Sequence, residues 1–438
     1  MKRFFAAAAL AALYLVSGCT LSPVSNDNAE SEKQPFAITK SQSVSRTSEV
    51  ALPENITLQA QSINEFSVKM YGKLATADEN LFFSPYSITT ALAMTAAGAV
   101  GPTKQQILDA LQTSLEGVAF DAALNSIDQA LIGHASMTDG LSLNIVNSTW
   151  MQSGWDFNIS YLDHLSRYYG AGVNLMDFAS KAEECRTVIN DWIAGQTNDK
   201  ILNLLPENSV TPSTVLVLTN AIHFLGDWLY AFDPALTAEK NFTIDGNSSI
   251  QTLLMQLNKP GEKVKMRYAR INTTRALDFP YKGDRLAMTV FLPDEGTFAA
   301  FEQSLSLSGI NELINALDTV KLAVSLPKFK FATGSMPLNQ PLRALGMADA
   351  FEPSKADFSG IDGNIGLFIT NVLHKAYISV DEEGTEAAAA TAVTIAPTSV
   401  NPDEVIFVAD RPFIFTIRDR ATGTMLFMGK LVNPDTAQ

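Results

Sequence analysis

Groups able to do acid–base or metal chemistry are sparse in this chain. Its four histidines, His134, His164, His223 and His374, are too irregularly spaced for a zinc site, and neither HExxH nor CxxC occurs. A GxSxG nucleophile elbow and a GxxxxGK[ST] phosphate loop are both missing. Cys185 follows Glu183 and Glu184, whose charge raises a thiol pKa rather than activating it, so an idle or buried thiol is expected. Asp381, Glu382 and Glu383 are adjacent carboxylates, yet in so acidic a chain such a run reads as a solvated face. A triad built from distant residues leaves no local signature, and an unrelated hydrolase stays only as a minor alternative. No metal, cofactor or catalytic residue is called for.

The segment with unusual physical chemistry is residues 381–402, DEEGTEAAAATAVTIAPTSVNP. Thr385 can cap a short helix through the alanine run, but Ala392-Val-Thr-Ile395 favours extended backbone and Pro397 and Pro402 break any helix. A helix of about 12 residues is in any case marginal in water. The stretch therefore reads as an exposed loop. It also suits a strand: Thr385, Ala387, Ala389, Thr391 and Val393 share one face at period two, all of them uncharged, while Glu386 points the other way. A simple alanine-rich surface helix explains neither the prolines nor that alternation.

The elements around this segment fall into two halves. Helices dominate the first: Ile63, Phe66, Met70 and Leu74 form a helical stripe, and Ser180 with Glu183 reads as a capping box ahead of Val188, Ile189, Trp192 and Ile193. Strands dominate the second: 215–224 is nearly continuous apolar sequence, 321–331 alternates, and 287–292, 365–370, 405–408, 413–417 and 425–432 are further candidates. Helices first and strands later indicate an α+β fold with mainly antiparallel sheets.

EEGTEAAAAT resembles the proximal hinge of the inhibitory serpins. Similarity to that family extends over nearly all of residues 54–438: Phe83-Ser-Pro-Tyr-Ser-Ile88, Thr219-Asn-Ala-Ile-His-Phe-Leu-Gly-Asp-Trp228, Leu326-Pro-Lys-Phe329, Ala356-Asp-Phe-Ser-Gly-Ile361, Val372-Leu-His-Lys375, Ala409-Asp-Arg-Pro-Phe413 and Phe427-Met-Gly-Lys-Leu-Val-Asn-Pro434 follow its signatures in order. The resemblance implies the serpin fold, with three β-sheets, eight or nine helices and an exposed reactive-centre loop. It also implies a suicide-substrate inhibitor of serine-type endopeptidases, and no enzyme. The protease cuts the loop, and the freed loop inserts as a strand and traps the acyl-enzyme. New backbone hydrogen bonds and burial supply the energy for that insertion, so the resemblance implies a metastable uncut state, a behaviour for which this family is the standard example.

The same resemblance assigns residues. The hinge is Glu383, Gly384, Thr385, Glu386, Ala387, Ala388, Ala389 and Ala390. Counting 14 positions from Gly384 places the reactive bond at Thr398–Ser399, to within one or two residues. A small β-branched residue there, preceded by Pro397, suits elastase-like or subtilisin-like proteases, with some cysteine proteases as further candidates. Ser84, Ser87, Asn220 and His374 match the shutter beneath the sheet, and Trp228 matches the breach where the loop enters. The alternative is a non-inhibitory member acting as a binding or chaperone module; such members carry bulky, charged or proline residues at inward hinge positions, and this hinge has none.

The N-terminus reads as a targeting segment. Lys2 and Arg3 precede an apolar run over residues 4–16, too short to span a membrane, and Val16-Ser17-Gly18-Cys19 resembles a bacterial lipobox with Cys19 as the lipidated residue. Residues 1–18 are then a signal peptide, 19–53 a polar lipid-anchored linker and 54–438 the folded domain, held at the bacterial envelope and facing the periplasm or the exterior. As a coil the linker spans roughly 30–35 Å. The formal charge of -15 argues against a nucleic-acid partner, with no Lys/Arg-rich stripe evident to offset it. Nor does the region after Ala99, with Lys104 and then mostly acidic and neutral residues, suggest activation by a polyanion. A monomer is expected.

Overall fold

The computed structural model describes residues 35–245, 248–258, 263–385 and 405–435. Glu386, Ala387, Ala388, Ala389 and Ala390 of the hinge, the Thr398–Ser399 bond and Cys19 lie outside the described residues.

Two sheets and ten α-helices are present among the described residues. The resemblance implied three sheets and eight or nine helices. Ten-stranded hydrogen bonding runs without a break through the hairpin of Val264–Ile271 and Thr274–Pro280, so two of the three implied sheets share one ladder. The other sheet has eight strands, and its centre is the pair Leu216–Asp227 and Asn371–Val380.

Local sequence explains the elements that carry the site. Helix Pro53–Leu74 starts with Pro at its first turn, where a missing N–H costs nothing, and buries Ile63, Phe66 and Met70. In helix Pro85–Ala96 the side chain of Ser84 is the N-cap, accepting from the Ser87 N–H at 3.1 Å, with Pro85 following it. Leu216–Asp227 is buried along almost its whole length, as its continuous apolar sequence requires, because helices or the second sheet cover both faces.

Four expectations need correction. Residues 36–53, assigned to the flexible linker, belong to the folded unit, which begins at Phe36. Ala37–Thr39 pairs antiparallel with Val173–Met176, and Phe36 packs edge-on against Trp150 at 4.9 Å, so a single buried aromatic and three ladder positions fix polar sequence that has no periodicity. Helix Phe178–Gln196 is capped by Asp177, which accepts from the Ser180 N–H, while Glu183 turns to Arg186 instead of closing a capping box. The alternating stretch 321–331 is two strands in different sheets, Asp318–Pro327 and Phe329–Ala332, separated where Pro327 offers no N–H. Residues 365–370 are irregular, with Gly366 at a φ of 132°, and the strand starts at Asn371.

Candidate functional site

The central strands Leu216–Asp227 and Asn371–Val380 are parallel neighbours over six positions, from Asn371 opposite Val217 to Ala376 opposite Ile222. Above that they diverge. Gly384–Thr385 fills the gap, antiparallel to both: Gly384 faces Asp227, Thr385 faces Gly226, and Val380 faces Thr385. The hinge was expected in the exposed loop, but Gly384 and Thr385 are already in the sheet, with Thr385 only 2% exposed. Glycine at 384 is required by the approach: a Cβ there would lie 2.2 Å from the Gly226 carbonyl oxygen.

Trp228 anchors this entry point. Its backbone N–H donates to the Glu383 carbonyl at 2.8 Å, its indole N–H donates to the Asp381 carbonyl at 3.0 Å, and its ring stacks on Tyr281 at 4.6 Å. Tyr281 in turn meets Thr385, hydroxyl to hydroxyl, at 2.8 Å. The carboxylates read as a solvated face are not one: Asp381 and Glu382 are buried, and only Glu383 is exposed. Asp381 closes the turn into the hinge by accepting from the N–H groups of Glu383 and Gly384. Glu382 is held by Lys328 Nζ at 2.7 Å and the Thr237 hydroxyl at 2.8 Å. Burial pushes its carboxyl upward, but the Lys328 and Thr237 contacts outweigh that and keep it below the ordinary carboxylate range.

Lower in the sheet, Ser84, Ser87, Asn220 and His374 come together, and Asn147 joins them. All the donor directions follow from one backbone group. The Ser84 N–H donates to His374 Nε2 at 3.2 Å, so Nε2 carries no proton and Nδ1 must. His374 Nδ1–H donates to Asn220 Oδ1; Asn220 Nδ2 donates to Ser87 Oγ and to Asn147 Oδ1. Ser87 Oγ donates to Asn147 Oδ1 at 2.9 Å, and Ser84 Oγ donates to the Leu426 carbonyl at 2.7 Å. Complete burial drives the His374 imidazole down to about 3, so it is neutral throughout the physiological range. Asn220 and His374 stand opposite each other in the parallel ladder, so their bond staples the two strands that would have to part for anything to enter between them.

A family model, Serpin (serine protease inhibitor), matches residues 61–434. The chain belongs to the serpin family. It is 34% identical over 378 residues to a serpin-like protein of Methanosarcina acetivorans, 86% of each chain being covered. It is 35% identical over 386 residues to human antithrombin-III, covering 85% of this chain and 81% of that one. The native-state structure of tengpin, a thermophilic serpin, superposes with a TM-score of 0.78 at 28% identity, covering 91% of this chain and 99% of the other.

Asn147, Tyr281 and Lys328 of this serpin were not singled out from sequence, and Glu382 was read only as part of a solvated carboxylate run. Lys328 sits within Leu326-Pro-Lys-Phe329 and Glu382 within the hinge motif, so their motifs were visible but their pairing was not. Asn147 lies in a strand with no motif, and only the antiparallel register that sets it against Asn220 reveals it. Cys185 is buried, and burial, with Asp177 and Glu184, pushes its thiol upward.

Proposed function

We propose that this serpin is a suicide-substrate inhibitor of serine-type endopeptidases, trapping its target as an acyl-enzyme by inserting the reactive loop into the eight-stranded sheet. One observation carries the reading: Gly384–Thr385 already occupies the mouth of a gap between two parallel strands, in the antiparallel sense the rest of the loop would adopt. Thr385 faces Gly226, and each further loop residue would face one position lower, so Thr391 would meet Asn220 and Thr394 would meet Val217. Insertion to that depth replaces all six parallel pairs by antiparallel ones on both sides. Antiparallel pairing is somewhat more stable per residue, and each added backbone bond contributes roughly 0.5–1.5 kcal/mol net. The side chains sharing the inward face of Thr385 are Ala387, Ala389, Thr391 and Val393, none charged. The uninserted state is then metastable, and cleavage releases it.

The reactive bond is assigned to Thr398–Ser399 and the targets to elastase-like or subtilisin-like proteases. Cys19 is assigned as the lipid anchor, which would hold a monomeric inhibitor at the bacterial envelope. Incubation with pancreatic elastase or subtilisin, denaturing electrophoresis and mass mapping test the reading. The expected result is an adduct that survives boiling in detergent, with a released fragment starting at Ser399. Cleavage near residue 398 that gives two free fragments, no adduct and no heat-stabilised product would overturn it. Loss of the membrane-bound fraction on Cys19→Ser tests the anchor.

A further inference from the structure

In a chain with 46 acidic and 31 basic side chains, residues 263–275 carry Lys263, Lys265, Arg267, Arg270 and Arg275 and no carboxylate. No Lys/Arg-rich stripe was evident from sequence, and this is one. The hairpin of Val264–Ile271 and Thr274–Pro280 folds it, and the neighbouring strand Asp318–Pro327 adds Lys321 directly opposite Lys265. Arg270 and Arg275 share Asp294, and Arg267 reaches Asp278 at 3.4 Å. Lys265 and Lys321 are both exposed, and neither forms an ion pair among the described residues. Two lysines facing each other across a ladder destabilise the pair, so folding alone does not account for them.

Their place in the fold points to an occupant. Leu322, next to Lys321, pairs with Val405, the first residue of the strand that follows the reactive loop. Val405 is six residues beyond Ser399, a separation that even fully extended chain limits to about 20 Å. A protease engaged at Thr398–Ser399 is wider than that, which brings its primed side within reach of Lys265 and Lys321. A membrane or a free polyanion has no comparable reason to lie there. We infer that Lys265, Lys321 and the flanking cations form a docking surface for an acidic face of the attacking protease before the loop inserts, next to the distal foot of the loop. The inference rests on the trapping reading. On an otherwise acidic inhibitor such a patch attracts an acidic protease at one place only, which raises the encounter rate and fixes orientation.

Lys265→Glu with Lys321→Glu tests it, because exchanging a Lys–Lys pair for Glu–Glu at exposed positions keeps the cross-strand repulsion and reverses the field. The probes are two subtilisin variants that differ only in carrying Asp or Lys on the surface beside the primed side of the cleft. At low salt the wild-type protein should trap the Asp-bearing variant about tenfold faster than the double mutant does. The preference should invert for the Lys-bearing variant, and both differences should close near 1 M salt, where the screening length is about 3 Å. The stoichiometry of inhibition should not change. Adducts that form at equal rates with all combinations overturn the docking surface and leave trapping intact. No adduct with any combination overturns trapping, and the docking surface with it. Equal trapping rates, with wild-type retention on dextran sulfate lost in the double mutant, would reassign the stripe to a polyanion and overturn the protease assignment.

Discussion

The hydroxyls of Tyr281 and Thr385 meet at 2.8 Å inside the protein, one just beyond the end of strand Thr274–Pro280 and one in the short strand Gly384–Thr385. Both groups are buried, with Tyr281 0% and Thr385 2% exposed, so each depends on the other for its hydrogen bond. Glycine at 226 makes the contact possible, because a Cβ there would fall 2.7 Å from Phe224 and 2.8 Å from Tyr281. Thr385 is therefore the last described residue before the loop and sits within the sheet; under the proposed insertion, loop residues on its face would point inward.

Replacing Thr385 by Arg is expected to convert the inhibitor into a substrate. Because Thr385 is already buried before cleavage, a guanidinium there is driven out of the sheet mouth in the uncut protein, and returning it for the loop to enter opposes insertion by several kcal/mol. Deacylation then outruns trapping. The stoichiometry of inhibition should rise severalfold while the rate of loop cleavage is retained, and an unchanged stoichiometry would contradict insertion as the trapping step.

Lys328 is the counter-charge for a carboxylate that lies beneath the hinge turn. Lys328→Met should leave Glu382 buried with only the Thr237 hydroxyl as a side-chain partner, and removing one member of such a pair destabilises by about 3 kcal/mol. The double variant Lys328→Met with Glu382→Gln should recover much of that loss, because no uncompensated charge remains. Thermal unfolding midpoints of the three proteins check this; equal losses in the single and double variants would show that the ion pair itself is not the stabilising element.

The pH dependence of stability should report His374. The imidazole titrates near 6.5 in the unfolded chain and at about 3 in the folded one, so the folded state resists protonation. Its contribution is complete above pH 6.5 and is lost as the pH falls toward 3, reaching about 2–3 kcal/mol of destabilisation by pH 4.5. Protonation would also set a second donor at Nε2 against the Ser84 N–H, and so would loosen the staple to Asn220. His374→Gln should unfold at a midpoint that varies less between pH 6.5 and 4.5 than the wild-type protein does. An identical slope in both would assign the acid sensitivity to carboxylates instead.

Sequence was most informative where local chemistry decides. The helix start at Ser84 and Pro85 was legible through the family motif it resembles, and the continuous apolar run 215–224 reads as a strand covered on both faces. Ser84, Ser87, Asn220 and His374 were named through distinctive motifs and lie together in the fold, while Trp228 lies apart from them against Asp381 and Tyr281. What sequence lacked was partnership between elements. Asp381 and Glu382 look solvated until Trp228 and Lys328 are brought against them, and Asn147 has no meaning until it faces Asn220. The change of sheet at Pro327 was hidden because period two continues through it, and Phe36 was passed over because one apolar residue in a polar stretch carries no period. The stripe at 263–275 was present as composition, but its exposure and its place beside the loop depend on the fold.

Specificity should follow residue 398. A threonine there offers a small, uncharged side chain to the protease pocket, whereas trypsin-like enzymes select a positive charge paired in their pocket with a carboxylate. Thr398→Arg changes the bait without touching Gly384, Thr385 or any residue of the central sheet, so the insertion machinery is preserved. The variant should lose most of its trapping rate toward pancreatic elastase and gain adduct formation with trypsin, at a stoichiometry like that of the wild type with its preferred protease. Mass mapping of the trypsin adduct should place the cut between the new arginine and Ser399. A protease profile unaltered by the substitution would put the reactive bond elsewhere in the loop, with Ala396 and Val400 the next positions to change.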